Sequence, residues 1–263
     1  MGLGQQLAPH VPFLRRYARA LAGSQSEGDR HVRAALQVIV DAPGAFARDV
    51  EPRLALYGVF QQLLNSALAA NTASGTTASG TTARARPGRA ASAPRQALLL
   101  TAMEGFTVED AAYLLDVDAA AARALVAQAL ADIDGQGSAR VLIIEDEPII
   151  AMDIETIVHD MGHEVTGIAI TREEAVALAM EERPGLVLAD IQLADDSSGI
   201  DAVQDILARF SVPVIFITAF PERLLTGHRP EPIFLITKPF QRSTVKAAIG
   251  QALFFNEAMV PVG

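Results

Sequence analysis

Apolar residues recur every three or four positions through the first half of the chain, and the period changes abruptly near residue 140. Leu7, Val11, Leu14, Tyr17, Ala18 and Leu21 form one helical stripe. Val32, Leu36, Ile39 and Val40 form a second, which Asp41-Ala-Pro-Gly44 ends. A third helix follows Pro52, a favourable first-turn residue, and carries Leu54, Leu56, Val59, Phe60, Leu63 and Leu64. Arg95–Met103 predicts a fourth. Thr107-Val-Glu-Asp110 has the form of a shortened capping box for a helix through Leu115. Asp116-Val-Asp118 is then a turn, with Asp118 capping a helix over Ala119–Ile133. A short helix, a tight turn and a longer helix make a helix-turn-helix.

From Arg140 the pattern is one of short continuous apolar runs: Val141–Ile144, Leu186–Ala189, Val212–Thr218 and Ile233–Thr237, with a weaker one at Glu164–Ile170. Helical stretches at Ile149–Met161, Arg172–Arg183, Ile200–Phe210 and Arg242–Phe254 lie between and after them. Strands alternating with helices predict βαβ units and a parallel sheet covered on both faces. Five strands in this length suit a flavodoxin-like, doubly wound α/β domain. Between the halves, Asn71–Pro94 repeats ASGTT and continues as ARARPGRAASAP, a composition that buries no core and reads as a flexible linker. Asp134-Gly-Gln-Gly-Ser138 is a second, shorter boundary.

Composition narrows the chemistry. The chain has 263 residues, so two domains are expected rather than one. With no Cys, disulfides, thiol catalysis and thiolate metal sites are excluded. No run reaches the ~18 apolar residues of a membrane helix, and Met1–Phe13 lacks the pattern of a secretion signal, so a cytoplasmic protein with no membrane association is expected. The formal charge of −10 is unevenly placed. Residues 1–139 balance 12 Arg against 12 acidic residues, while residues 140–263 set 9 basic against 19 acidic residues. Within the first half, residues 95–139 hold only Arg95 and Arg123 against seven acids.

In a doubly wound sheet, ligands bind beyond the carboxyl ends of the strands. Those ends carry Glu145 and Asp146 after the first strand, Asp190 after the third, Thr218 at the fourth and Lys238-Pro239 after the fifth. A single Asp at a strand end is ordinarily a helix cap, and a single Lys-Pro a turn. Five such residues in one order point to chemistry instead. Converging carboxylates repel unless a cation neutralises them, and an all-oxygen site open to water and phosphate suits Mg²⁺. An Asp in that setting can act as a nucleophile and form an aspartyl phosphate. The metal, the Thr218 hydroxyl and the Lys238 ammonium would then neutralise the phosphoryl oxygens.

Arg140–Phe254 resembles a response-regulator receiver domain through VLIIEDEPII, LVLADIQL, IFITAF and ITKPF, in order and spacing. The resemblance implies Asp190 as phosphoacceptor, Asp146 as direct Mg²⁺ ligand and Glu145 holding the metal through water. It also implies the Gln192 carbonyl as a further ligand, Thr218 as switch hydroxyl and Lys238 as phosphate-binding cation. Two departures stand out. Leu235 occupies the position of the usual aromatic switch residue, with Phe234 beside it and Phe220 two residues after Thr218. Pro221, Pro230 and Pro232 leave little room for a full fourth helix.

The helical half resembles the region 2 and region 4 domains of extracytoplasmic-function sigma factors. The expected organisation is a region 2-like domain at 1–68, a linker at 69–94, a region 4-like helix-turn-helix at 95–135 and the receiver at 139–258. The helix that would read DNA, AAARALVAQALADI, offers Arg123 as its only cation in a segment that is acidic overall. DNA repels such an element, and its Ala/Leu/Val surface suits an apolar protein partner.

Sigma-like helices followed by a C-terminal receiver resemble the PhyR family of general stress response regulators. The resemblance implies a phosphorylation-activated anti-anti-sigma factor that sequesters a NepR-type anti-sigma factor and frees the stress sigma factor. The implied phosphodonor is a sensor histidine kinase or phosphotransfer protein. No turnover of a separate substrate is expected, since the receiver catalyses only its own phosphorylation. The alternative is a transcription factor that binds DNA through the helix-turn-helix.

Overall fold

The computed structural model describes all residues except 1, 45, 48, 74–91, 135–136, 194–197, 225–231, 233 and 258–263. The chain divides into two compact units, Met1–Ala129 and Leu130–Gly263. No described helix is long and apolar enough to cross a membrane.

The first unit is helical. A short helix α1 (Leu3–Leu7) leads through a single 3-10 turn into α2 (Val11–Ala22), followed by α3 (Gln25–Asp41) and α4 (Pro52–Ala73). Helix α2 stops at Gly23, whose φ of 67° is the left-handed conformation glycine adopts without steric cost. The Ser24 hydroxyl then caps α3, and the Glu51 carboxylate accepts from Leu54 N–H in the first turn of α4. Leu14, Tyr17 and Leu21 of α2 pack with Val32, Ala35 and Ile39 of α3 and Leu56, Tyr57 and Phe60 of α4 in the buried core. Helices α2 and α3 pass so closely that a Cβ on Gly28 would lie 2.6 Å from the Arg19 amide nitrogen. Arg19, fully buried, holds Asp29 of α3 through two bonds of 2.8 Å.

Helix α5 (Ala93–Leu98) runs directly into a π-helical turn, Leu99–Met103. The turn sends the Glu104 N–H to the Leu99 carbonyl, five residues back, and delivers the Glu104 side chain into the interior. There its Oε1 accepts from Arg16 at 3.0 and 2.9 Å, and its Oε2 accepts from the Tyr57 hydroxyl at 2.8 Å. Arg53 donates to the Glu104 carbonyl and stacks 4.3 Å from the Phe106 ring centroid. Burial, reinforced by the neighbouring Glu104 carboxylate, raises the Tyr57 phenol well above its ordinary value, so it stays a donor. Helix α6 (Val108–Leu115) opens with a reciprocal capping box between Thr107 and Asp110, and the Asp118 carboxylate caps α7 (Ala119–Asp134). The expected linker ends are helical, at 69–73 in α4 and 93–94 in α5, and 74–91 lie outside the described residues.

The second unit is a five-stranded parallel sheet of order β2-β1-β3-β4-β5, the flavodoxin-like arrangement. Its strands are β1 (Arg140–Ile144), β2 (Glu164–Ala169), β3 (Leu186–Ala189), β4 (Val214–Thr218) and β5 (Phe234–Thr237). The connecting and closing helices are α8 (Pro148–Asp160), α9 (Arg172–Glu182), α10 (Gly199–Leu207) and α11 (Arg242–Glu257). Strand β4 starts at Val214 rather than Val212, because Pro213 has no N–H for the ladder. Leu142, Ile144, Val187, Ala189, Phe216 and Leu235 are among the residues packed in the core beside the sheet. Between β4 and β5 the described residues contain one 3-10 turn, Pro221–Arg223, with 225–231 and 233 outside them.

Candidate functional site

Register places the acidic residues together. Strands β1 and β3 are neighbours at the sheet centre, with Ile144 opposite Ala189, so Glu145 and Asp190 leave them side by side. The Asp190 N–H donates to the Ile144 carbonyl at 2.8 Å, locking this step. Strands β4 and β5 pair Thr218 with Thr237, and the Lys238 N–H donates to the Thr218 carbonyl at 2.8 Å. Parallel strands end on one side of the sheet, which is why residues far apart in sequence converge there.

The side chains form a compact polar pocket. The Lys238 ammonium lies 2.7 Å from Asp190 Oδ2 and donates at 3.0 Å to Glu145 Oε1. Glu147, absent from the expected set, reaches to 3.6 Å of the same ammonium. Asp190 is 7% exposed and Glu145 is buried. Asp190 Oδ1 accepts from the Ile191 N–H at 2.5 Å and lies 3.5 Å from the Gln192 nitrogen. Thr218 is fully buried, and its hydroxyl oxygen accepts from the Phe220 N–H at 3.2 Å. Burial pushes the Glu145 carboxyl up to about 7, against the opposing pull of Lys238. Burial would lower the Lys238 ammonium, but its bonds to Asp190 and Glu145 outweigh this and raise it.

One ammonium does not neutralise this cluster. Glu145, Asp146 and Asp190 each offer a carboxylate oxygen within 4.8 Å of the others. Glu145 Oε2 is 2.8 Å from Lys238 Nζ yet buried without a hydrogen bond. Hard oxygen donors, an unsatisfied buried carboxylate oxygen and an excess of negative charge fit a divalent cation of the Mg²⁺ type.

Gly199, the first residue of α10, was not singled out by its sequence context. A Cβ there would lie 1.7 Å from the Asp190 carbonyl oxygen. The Gly199 N–H donates to the Ile191 carbonyl at 2.8 Å, and Gln192 bridges to Ser198. Gly199→Ala is therefore expected to displace the Asp190 main chain and to slow phosphorylation from a small phosphodonor by roughly 10²-fold, in line with misplacement of a reacting group. Labelling kinetics followed by intact mass test this; a wild-type rate in the variant would remove Gly199 from the site.

The departures from the receiver pattern are also placed. Leu235 is buried in β5, whereas Phe220 is 41% exposed with the Arg223 guanidinium 5.2 Å from its ring centroid. In the helix-turn-helix, α7 exposes Ala120, Ala124, Ala127 and Ala131 with Arg123 and Gln128, while Leu125, Val126 and Leu130 are half-buried. The exposed side is flatter than the sequence implies, because the larger apolar residues turn inward.

Comparison with known proteins gives a consistent result for both units. Residues 7–61 match the sigma2 domain of PhyR, residues 89–136 the sigma-like domain of response regulator PhyR, and residues 141–250 the response regulator receiver domain. The chain is 51% identical to phyllosphere-induced regulator PhyR of Methylorubrum extorquens, over 98% of this chain and 97% of that protein. Its structure is similar to response regulator PhyR from Brucella abortus, with a TM-score of 0.85 and 51% identity, covering 98% of this chain and 96% of that one. It is similar also to anti-anti-sigma factor PhyR from Bartonella quintana, with a TM-score of 0.85 and 49% identity over 97% of each chain. That Bartonella quintana protein has been solved in complex with the anti-sigma factor NepR.

Proposed function

The chain belongs to the PhyR family of response regulators, and from that premise we propose how its own residues carry out phosphorylation-gated capture of a NepR-type anti-sigma factor. The observation that carries the reading is the pocket in which Lys238 bridges Asp190 and Glu145 at the carboxyl ends of β1, β3 and β5. It stands in a chain whose other half matches sigma-factor domains.

Asp190 is the nucleophile: a carboxylate oxygen attacks the phosphorus of a phosphodonor, and the bond to the donor breaks with its electron pair. The Ile191 N–H fixes the carboxylate orientation, and Lys238 neutralises charge on the incoming phosphoryl oxygens. Asp146 and Asp190 would hold Mg²⁺, with Glu145 and the Gln192 carbonyl as its further protein ligands. When bound, the cation supplies the charge neutralisation that a single ammonium cannot. Thr218 turns its hydroxyl toward the phosphoryl group, exchanging its present bond from the Phe220 N–H. The phosphodonor is a sensor histidine kinase or a phosphotransfer protein. No separate substrate is turned over.

The switch is a two-state equilibrium in which phosphorylation favours the state whose sigma-like half binds the anti-sigma factor. Moving it from mostly inactive to mostly active takes on the order of 3–5 kcal/mol, which phosphate and partner supply together. The sequestered anti-sigma factor no longer restrains the stress sigma factor. Co-elution of the full chain with a NepR-type anti-sigma factor tests this, with and without acetyl phosphate and Mg²⁺. Stable co-elution only with the phosphodonor is the expected result. Equal capture in both conditions, or none in either, defeats the reading.

A further inference from the structure

The two compact units meet inside a helix. Residues 119–129 of α7 fall in the first unit and residues 130–134 in the second, so the division lies upstream of the Gly-containing stretch 134–138. Two contacts within the second unit fix the chain on either side of that stretch. On one side, Ile133 is buried and sits on Gly250 of α11, so closely that a Cβ at residue 250 would lie 2.5 Å from Ile133 Cγ1. The seat exists because residue 250 has no side chain, in a helix that is buried all round from Ala247 to Leu253. On the other side, the Ala139 N–H donates to His163 Nδ1 at 3.3 Å, and the Ala139 carbonyl accepts from the Glu164 N–H at 2.9 Å.

Helix α7 itself offers no point of bending. It contains neither Gly nor Pro, and half of its 16 residues are Ala. Its other buried residues are Ala122 and Ala129, so the largest side chain it buries is the one seated on α11. Upstream, the backbone first leaves helical geometry at the turn of the helix-turn-helix. There Asp116 has a left-handed φ of 56°, and the Asp118 carboxylate caps α7 by accepting from the Ala121 N–H at 2.7 Å. Element ends of this kind are where hinges absorb rotation. Resting on the reading that receiver phosphorylation governs capture of an anti-sigma factor, we propose that Ile133 on Gly250 is a permanent anchor. Helix α7 travels with the receiver as a rigid lever, and the switch turns about residues 116–118 rather than about 134–138. Ile133 and Gly250 are positioning residues: the state of the pocket reaches the sigma-like half through α11 and the helix seated on it, and the seat stays closed in both states.

Because the chain has no Cys, a disulfide can be placed across the seat without competing thiols. The Ile133 Cβ is at most one bond beyond its Cγ1, so Ile133→Cys with Gly250→Cys brings the two Cβ atoms within the ~3.5–4.5 Å that a disulfide spans. The oxidised full chain, its bond verified by mass, is expected to capture a NepR-type anti-sigma factor in acetyl phosphate and Mg²⁺ as tightly as the reduced chain does. Ile133→Ala empties the seat and leaves α11 unaltered. In that variant the ratio of Kd without phosphodonor to Kd with it should fall about tenfold, while intact mass shows Asp190 labelled at the wild-type rate. A merely structural loss would shift both Kd values alike and leave their ratio unchanged. An oxidised chain that no longer captures, a Cys pair that does not oxidise, or a wild-type ratio in Ile133→Ala overturns the anchor while leaving capture of the anti-sigma factor standing. Failure of the unmodified chain to capture with the phosphodonor overturns both.

Discussion

Asp190→Ala is expected to eliminate phosphorylation from acetyl phosphate in Mg²⁺, lowering the rate by roughly 10³-fold or more, because it removes the carboxylate proposed as nucleophile. The fold should survive. Lys238 keeps its contacts with Glu145, so no buried cation is stranded when the Asp190 carboxylate is removed. Intact-mass measurement of the phosphoryl increment, with a thermal melt as control, reads both expectations at once. Persistent labelling at the wild-type rate would move the acceptor to another carboxylate. The companion variant Lys238→Met should behave differently, since it leaves Glu145 and Asp190 facing each other without a counter-charge. Its labelling should fall and its stability should change with it.

The second large effect lies in the helical unit, at Glu104. Glu104→Leu is expected to destabilise that unit by about 3–5 kcal/mol, because one substitution removes a buried carboxylate that Arg16, Arg53 and Tyr57 share. Arg16, itself buried, keeps its bond to the Met103 carbonyl but loses the carboxylate that balances its charge, and the Tyr57 hydroxyl loses its acceptor. Glu104→Gln keeps an acceptor for Tyr57 and should be milder. The readout is unusually clean, since the chain has no Trp and all three tyrosines, Tyr17, Tyr57 and Tyr113, belong to the helical half. Near-ultraviolet circular dichroism during urea unfolding of the full chain therefore follows this unit through its tyrosines. A loss below about 1 kcal/mol would mean that the cluster is not what joins α5 to α2 and α4.

The contrast between these two sites shows what a sequence exposes. Asp190, Thr218 and Lys238 were legible because parallel strands are short apolar runs with a defined end, and the residue at that end needs no further geometry to be located. The parallel sheet followed from alternation, and its flavodoxin-like order from the number of strands. Glu104 was not legible. Counted by composition, it is one of seven acids in residues 95–139 and adds to an acidic surface. In the structure a π-helical turn takes it inside, where it meets arginines from segments of the chain far away. Arg95 leaves the surface as well, donating to the Ala20 carbonyl from a buried position. Charge counting thus described residue types correctly and their location wrongly, because a single extra residue in a helical turn has no signature in periodicity. Gly199 was illegible for a related reason. Its importance is the absence of a Cβ against one particular carbonyl, and only coordinates reveal such a contact.

The position of Lys238 just beyond the last strand has a consequence for newly made molecules. Synthesis is vectorial, and the helical unit is complete once residue 129 has emerged, whereas the pocket cannot close until β5 brings in its ammonium. At roughly 5–20 residues per second, the two events are separated by roughly 5–20 s. During that interval the chain has its helical unit complete while the acidic pocket still lacks its counter-charge.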